Sequence, residues 1–232
     1  MSPENTAKPA KRSAVSRREA AVARVLDPAR ERAETRVQAF LDAAMELMNT
    51  SAGQEFTVQE VIERSGQSLR SFYQYFDGKY ELLLALFEDS VRTVAAQLHE
   101  DIAGEATARD RLHRFIVEYF HQCQPAVKAR TTKRGFAPAF ASFSHQLLTE
   151  HPVEASRAFQ PLATMLEDLL KAAVDEGGVR SGLDHDRLAG TILQAIMFNA
   201  FASTISGVSA HPADIDPGEE LWDLLMNGMG KQ

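Results

Sequence analysis

The sequence from Gly66 to Lys79 reads GQSLRSFYQYFDGK. It places four aromatic side chains, two serines, an arginine and a lysine within fourteen residues. A helix that only packs against its own chain needs far fewer hydrogen-bond donors. The composition therefore predicts a segment with two sides, one packed on the protein and one presented to a partner.

The flanking residues predict two short helices joined by a tight turn. Thr57 and Glu60 have the spacing of a capping box, in which the threonine hydroxyl and the glutamate carboxylate each accept the other residue's amide. Gly66 supplies the left-handed residue that ends this helix. Ser68 is then the predicted N-cap of a second short helix, which runs to about Tyr75.

The rest of the chain repeats apolar residues at intervals of three and four, which is the period of an α-helix. Asp27, followed by a proline, predicts the start of the preceding helix, and Asp77 is the predicted N-cap of the long helix that follows. No segment alternates as a strand does. The sequence therefore predicts an all-α protein with a basic, largely disordered arm (1–26), a helix-turn-helix domain (27–80) and a larger helical domain (81–232). A short helix within SRREAAVARVL is the alternative for the end of the arm.

Two short helices joined in this way form a helix-turn-helix, whose second helix enters the major groove of DNA. Arginine can bind guanine through two hydrogen bonds, glutamine can bind adenine likewise, and serine can bind phosphate or bases. Tyrosine hydroxyls can bind phosphate oxygens and so fix the register. The predicted DNA-binding residues of this helix are Ser68, Arg70, Ser71, Tyr73, Gln74 and Tyr75.

Lys79 lies in the first turn of the long helix, where the positive end of the helix dipole disfavours a lysine. A phosphate held by this lysine and the helix N–H groups would reverse that effect. A simply solvated lysine is the alternative, and the two preceding tyrosines favour the phosphate.

The remaining apolar side chains of this stretch are predicted to face the protein. Phe72 and Phe76 are four residues apart and so share one side of a helix. Leu69 is expected to pack inward with them. The stretch would then present one side to DNA and the other to a three-helix core.

The charge of the chain is unevenly distributed. The net charge is −7, yet residues 1–36 contain nine lysine and arginine residues against five acidic ones. Residues 81–232 contain thirteen against twenty-one. A basic end can meet a polyanion while the acidic remainder keeps the molecule in solution.

Several classes of protein are not indicated by the sequence. Cys123 is the single cysteine, which excludes an intramolecular disulfide. His121 and Cys123 are two residues apart, so they point to different sides of a helix and do not form a metal pair. The N-terminus has no signal-peptide pattern, and no apolar run is long enough to span a membrane. We expect a cytoplasmic protein that is no enzyme and needs no cofactor or metal.

Four short motifs resemble the N-terminal domain of the tetracycline-repressor (TetR) family of bacterial transcription regulators. They are TVQEVI (57–62), SGQS (65–68), FYQYF (72–76) and KYELL (79–83), and the resemblance covers about residues 30–85. It implies a homodimer that binds a palindromic operator in double-stranded DNA and responds to a small effector. It implies phosphate contacts from Thr57, Tyr73 and Lys79, and base or backbone contacts from Ser68, Arg70, Ser71, Gln74 and Tyr75.

The chain departs from the family pattern at two positions of the recognition helix. Arg70 stands where many members have glycine or a small residue, which indicates a base preference of its own. Phe72 stands where a smaller aliphatic residue or threonine is more common.

In the family, the larger domain holds the effector pocket and the dimer interface. A hydrophobic effector would suit the aromatic and methionine side chains here, with packing in the core as the alternative for each. The predicted effector-binding residues are Phe115, Tyr119, Phe120, Cys123, Phe140, Phe143, Met165, Met197 and Phe198. The predicted dimer-interface residues, with core packing again as the alternative, are Leu162, Leu166, Leu169, Leu193, Met197 and Phe201.

A protein without DNA function is the other reading of the sequence. An all-α carrier of small molecules, or an acidic helical interaction protein, would explain the apolar helices and the negative charge. Neither explains the capped short helices that carry Arg70, Gln74 and Lys79.

Overall fold

The structure is a computed structural model that describes residues 17–50, 56–123, 138–206 and 216–229. Side chains are described for residues 27–49, 56–123, 142–199, 202 and 216–229. These parts of the chain are helical and contain no β-strand, which confirms the predicted all-α class. The helices are α1 (Arg17–Thr50), α2 (Val58–Ser65), α3 (Leu69–Phe72), α4 (Lys79–Ile102), α5 (Ala108–Cys123), α6 (Pro138–Glu150), α7 (Pro152–Asp175), α8 (His185–Ser206) and α9 (Pro217–Met229).

The chain divides into two units between residues 39 and 40, and α1 runs through this boundary. In the first unit the helix begins at Arg17, so the predicted start at Asp27 is wrong and Pro28 lies inside the helix. Residues 17–26 read RREAAVARVL, and these strong helix formers extend the helix before the proline. The predicted disordered arm is therefore helical from Arg17, and its first sixteen residues lie outside the described residues.

Three phenylalanines form the centre of the helix-turn-helix in the second unit. The ring of Phe40 on α1 lies 5.4 Å from that of Phe72 and 6.0 Å from that of Phe76, edge-on to both. Phe72 and Phe76 lie 5.5 Å apart. All three side chains are buried, which confirms the predicted packing of Phe72 and Phe76. Burying a phenylalanine contributes roughly 1.5–3 kcal/mol, so this cluster attaches the short α3 to α1.

The local signals between α2 and α3 are confirmed. The Thr57 hydroxyl accepts the Glu60 amide at 3.3 Å, and the Glu60 carboxylate accepts the Thr57 amide at 2.7 Å. Gly66 ends α2 with φ of 65°, in the left-handed region where glycine carries no Cβ penalty. The Ser68 hydroxyl caps α3 by accepting the Ser71 amide at 3.1 Å. The helix of α3 ends at Phe72, however, and continues to residue 75 only as turns.

The larger domain is built around α5, which contacts α4, α7, α8 and α9. The side of α5 that carries Leu112, Phe115, Ile116 and Phe120 is buried among these helices. From α4, Phe87 packs edge-on against Phe159 of α7 with ring centroids 5.1 Å apart. The apolar side of α5 therefore meets several neighbours.

Two histidines of α5 attach the C-terminal helix. His113 Nε2 lies 2.7 Å from Glu219 Oε2, and His121 Nε2 lies 2.9 Å from Asp216 Oδ1. Burial raises the pKa of Asp216, but hydrogen bonds from His121 and from the Gly218 amide outweigh this effect and hold it below its usual value. His121 therefore pairs with the residue that precedes α9.

Candidate functional site

The four residues of α3 and the turn after it present two distinct sides. Successive helical residues are rotated by about 100°, so Leu69, Arg70, Tyr73 and Gln74 fall on one arc of about 140°. All four are exposed, with Leu69 at 51% and Tyr73 at 57%. We call this set the exposed arc. It places two side chains that can bind bases and one that can bind phosphate on the same surface.

The opposite side of α3 is buried, and it includes a residue predicted to bind DNA. Ser71 is 9% exposed, and its hydroxyl is buried with no hydrogen-bond partner in the described part of the chain. The structure therefore contradicts a DNA contact from Ser71, because two positions after Leu69 the helix has turned toward α1. Conversely, the inward packing predicted for Leu69 is wrong.

Thr57 is exposed and lies at the start of α2. Its hydroxyl donates to Glu60 Oε2 at 2.8 Å while it accepts the Glu60 amide. These bonds from the Thr57 amide and then from its hydroxyl lower the pKa of Glu60, and Lys79 adds a smaller effect in the same direction. A phosphate contact from the Thr57 hydroxyl would therefore compete with the capping box.

Lys79 is the first residue of α4, as its predicted position requires, but Asp77 is not the cap. The N-cap is Gly78, which is extended and offers no side-chain hydrogen bond to the first turn. The Asp77 amide instead donates to the carboxylate of Glu81. Gly78 has no side chain, so no carboxylate or hydroxyl occupies the N-cap position of α4. An anion could approach the helix there.

Phe56 joins the starts of α2 and α4, and sequence reasoning missed it. The Nζ atom of Lys79 lies 4.8 Å from the centroid of the buried Phe56 ring, which is a cation–π distance. Phe56 directly precedes the capping residue Thr57, the position from which a hydrophobic residue packs against the first turns of a helix. An aromatic residue before a capping box was the signal available in the sequence.

The two tyrosines differ in their settings. Tyr73 contacts Phe72 edge-on at 5.4 Å and remains mostly exposed, so its ring is supported from within the domain. Tyr75 is half-buried. The structure thus brings Thr57, Ser68, Arg70, Tyr73, Gln74, Tyr75 and Lys79 into the same small domain with at least part of each side chain accessible.

Most of the predicted effector-binding residues are buried in the larger domain. Phe115, Tyr119, Phe120, Cys123, Phe143 and Met197 are each at most 8% exposed, and Met165 is half-buried. Burial raises the pKa of Cys123 to about 12 and raises that of Tyr119 well above its usual value. Both groups are therefore neutral at physiological pH and compatible with an apolar ligand. The side chain of Phe140 lies outside the described residues.

Phe198 is not part of this interior. Its side chain is 68% exposed on α8. It borders an open hollow of about 480 Å³ between α6 and α8, together with His145, Leu148, Thr149, Thr191, Gln194, Ala195 and Met197.

Five of the six predicted dimer-interface residues are buried within a single chain, in agreement with the alternative of core packing. Leu162, Leu166, Leu169, Leu193 and Met197 are at most 7% exposed within a single chain, so they already belong to its core. The side chain of Phe201 lies outside the described residues. The sequence of α8 is almost wholly apolar, so it does not indicate which side of the helix packs against its own chain. In the structure, that side carries Leu193 and Met197.

Other chemistry finds no support in the described residues. They contain no group of three or more histidine, cysteine, aspartate and glutamate side chains arranged to hold a metal ion. None of the helices described has the length and apolar character that crossing a membrane requires.

Known proteins share both the motifs and the fold. The signature of the bacterial regulatory proteins of the tetR family matches residues 40–86. The fatty acid metabolism regulator protein of Bacillus subtilis (strain 168) is 28% identical over 81 residues, which is 35% of this chain and 42% of that relative's length. The two chains are thus aligned over less than half of the relative.

Solved structures extend the similarity to the larger domain. The regulator FadR of Bacillus subtilis, crystallised in complex with stearoyl-CoA, has a TM-score of 0.63 at 19% identity and is covered to 98%, with 82% of this chain aligned. FadR of Bacillus halodurans, a fatty acid degradation regulator, has a TM-score of 0.62 at 16% identity with the same coverage. At these identities the likeness concerns the fold.

The small domain is a helix-turn-helix domain with a capped, outward-facing second helix. Together with the match over residues 40–86, it identifies the class. The domain of residues 40–86 belongs to the tetR family of bacterial regulatory proteins.

We predict that the Glu60 carboxylate stabilises the fold only where it is ionised. Because its folded pKa lies below the ordinary value of 4.5, this stabilisation is present above that pH and is lost as pH falls through the folded pKa. Glu60→Gln should therefore melt at a lower temperature than the wild type near neutral pH, and the difference should close in acid. Thermal unfolding followed by circular dichroism across this range measures it.

The matched control is Glu63→Gln, which removes a carboxylate from the same helix outside the capping box. A gap between wild type and Glu60→Gln that stays constant into acid would contradict the prediction.

Proposed function

We propose that the protein is a homodimeric transcription regulator of the bacterial cytoplasm that binds a palindromic operator and leaves it when a small hydrophobic effector binds. The observation that carries the proposal is the exposed arc of α3. Arg70 and Gln74 are both exposed, and they suit guanine and adenine in the major groove. A repressor that is released by its effector is the form of regulation we propose.

Phosphate contacts would hold this helix in register. Lys79 at the uncapped start of α4 and Tyr73 at the end of α3 are the proposed contacts, with Thr57, Ser68 and Tyr75 as supporting ones. Lys79 rests against Phe56, so its charge is held near the start of α2 as well. One phosphate at the start of α4 would meet the Lys79 cation and the positive end of that helix together.

A second subunit would cover the exposed side of α8, which also borders the hollow beside α6. Thr191, Ala195, Phe198 and Ala202 are exposed and follow one another at intervals of four, three and four, the spacing of a helix-packing seam. Phe198 would be the central contact of this seam, because it is large and mostly exposed. A two-fold dimer also suits an operator of two half-sites about one helical turn apart.

The effector would bind between the helices of the larger domain, where α5 and α6 each carry buried aromatic residues. The solved FadR relative that holds stearoyl-CoA supports a long acyl chain as the class of ligand. Tyr119, Phe120 and Phe143 offer the apolar surface for it, and this chemistry agrees with a hydrophobic effector.

A contact between α4 and the start of α7 offers a route from effector to DNA. Tyr80, next to Lys79, lies with its ring 4.8 Å from that of His151, which precedes α7, and 6.2 Å from that of Phe143 on α6. Partial burial, together with the carboxylates of Glu154 and Glu150, raises the pKa of Tyr80. An effector that displaces α6 or α7 would move Tyr80 and with it the start of α4. It must bind the displaced state more tightly than the DNA-bound one.

We predict that the purified protein selects a palindrome from fragmented genomic DNA, with half-sites about one helical turn apart. Lys79→Ala should bind the selected operator more weakly, and its affinity should fall less steeply with salt, because each subunit gives up one phosphate contact. The slope of log affinity against log salt should decrease by about two for the dimer. Fluorescence anisotropy over a salt series measures both effects.

Arg92→Ala is the control, since it removes the same charge from the same helix at a position far from α3. Equal affinities and slopes for the two variants would contradict the role of Lys79. A folded protein that selects no sequence at low salt would contradict the proposed function.

We predict that Phe198→Asp prevents dimerisation, because the seam would then bury a carboxylate without a partner. Light scattering after size exclusion should give the mass of a monomer, and affinity for the full operator should fall about tenfold or more. Leu224→Asp, at a residue of α9 that is 70% exposed, is the control and should remain dimeric. A dimer of unchanged stability in Phe198→Asp would exclude this side of α8.

We predict that the Tyr80→Ala variant binds the operator but is released by the effector less readily than the wild type, because it loses the contact with His151. Stearoyl-CoA is the first probe, and the readout is the concentration that halves operator binding, which should rise about fivefold or more. Leu224→Ala should respond like the wild type. Identical release curves for Tyr80→Ala and wild type would contradict this route, and a wild type that ignores stearoyl-CoA would exclude that effector class.

A further inference from the structure

Leu69 has a position that the packing of the domain does not explain. It is the first residue of α3 and is 51% exposed, whereas Phe72 in the same four-residue helix is fully buried. A leucine on a DNA-binding surface makes no hydrogen bond and displaces water that a polar residue would use. An apolar group on the bound ligand would cover its exposed half.

The neighbours of Leu69 on the exposed arc define what that partner is. Tyr73 lies one turn further on the same side, and Arg70 and Gln74 lie beside them. The N-terminal residues of a recognition helix face the base edges, so Leu69 lies where bases are read. Arg70 and Gln74 supply the hydrogen-bonding groups of this surface, and Leu69 supplies its apolar group.

The major groove offers one apolar group on its base edges, the C5-methyl of thymine. We propose that Leu69 is a specificity-determining residue that recognises a thymine methyl in each half-site of the operator. The proposal rests on the proposed function, because it assigns a base to one side chain of the same surface. Removing a methyl from water contributes about fourfold in affinity for each half-site.

The test replaces single thymines of the selected operator with deoxyuridine, which removes the methyl and leaves every hydrogen-bonding group in place. For the wild type, one position in each half-site should lose about fourfold in affinity. For Leu69→Ala, the ratio between the thymine and uracil operators at that position should fall close to one. Leu69→Met, which keeps an apolar side chain of similar length, should restore most of the ratio.

Gln74→Ala is the matched control on the same arc. It should bind more weakly overall yet keep the thymine-to-uracil ratio of the wild type, because it removes a hydrogen-bonding group and no apolar one. Thermal unfolding of Leu69→Ala, expected to match the wild type, establishes that α3 is intact.

Two results would overturn the inference, and they are distinguishable. An operator on which every thymine-to-uracil change has the same effect for wild type and Leu69→Ala overturns the role of Leu69 and leaves the proposed function standing. The absence of any selected operator overturns the proposed function and the role of Leu69 with it.

Discussion

The contact of Phe72 with Phe40 and Phe76 is the constraint on which the DNA-binding surface depends. A helix of four residues has almost no stability of its own, because the first turn orders several residues for a single hydrogen bond. Its orientation is therefore set from outside, by the buried Phe72 ring against α1. Once Phe72 points inward, the helical rotation places Arg70 and Gln74 on the outward side.

Features that depend on neighbouring residues could be predicted from the sequence. The capping box of Thr57 and Glu60, the left-handed Gly66 and the cap at Ser68 each involve groups at most four residues apart, so spacing alone describes them. The inward sides of Phe72 and Phe76 follow from the same local rule, because large aromatic side chains bury more surface than their competitors. The TetR-family motifs of residues 57–83 include these caps and this turn, so they could also be found in the sequence.

Features that depend on distant parts of the chain could not be predicted from the sequence. Leu69 and Phe72 are both apolar, and only the position of α1 decides that Phe72 takes the interior. On α8, Leu193 and Phe198 look equivalent in sequence, yet contacts with α5 and α7 cover one and leave the other exposed. The helix start before Pro28 was misplaced because a proline allows either a first turn or an interior position when the preceding residues favour a helix strongly.

The separation of the two sides of α3 has a consequence for how such proteins diverge. Leu69, Arg70 and Gln74 can be exchanged with little effect on stability, since surface substitutions usually change it by less than about 0.5 kcal/mol. The stability of this domain depends instead on the packing of Phe40, Phe72 and Phe76. A duplicated copy of this chain can therefore drift toward a new target sequence one outward residue at a time, while every intermediate in the lineage remains a folded protein.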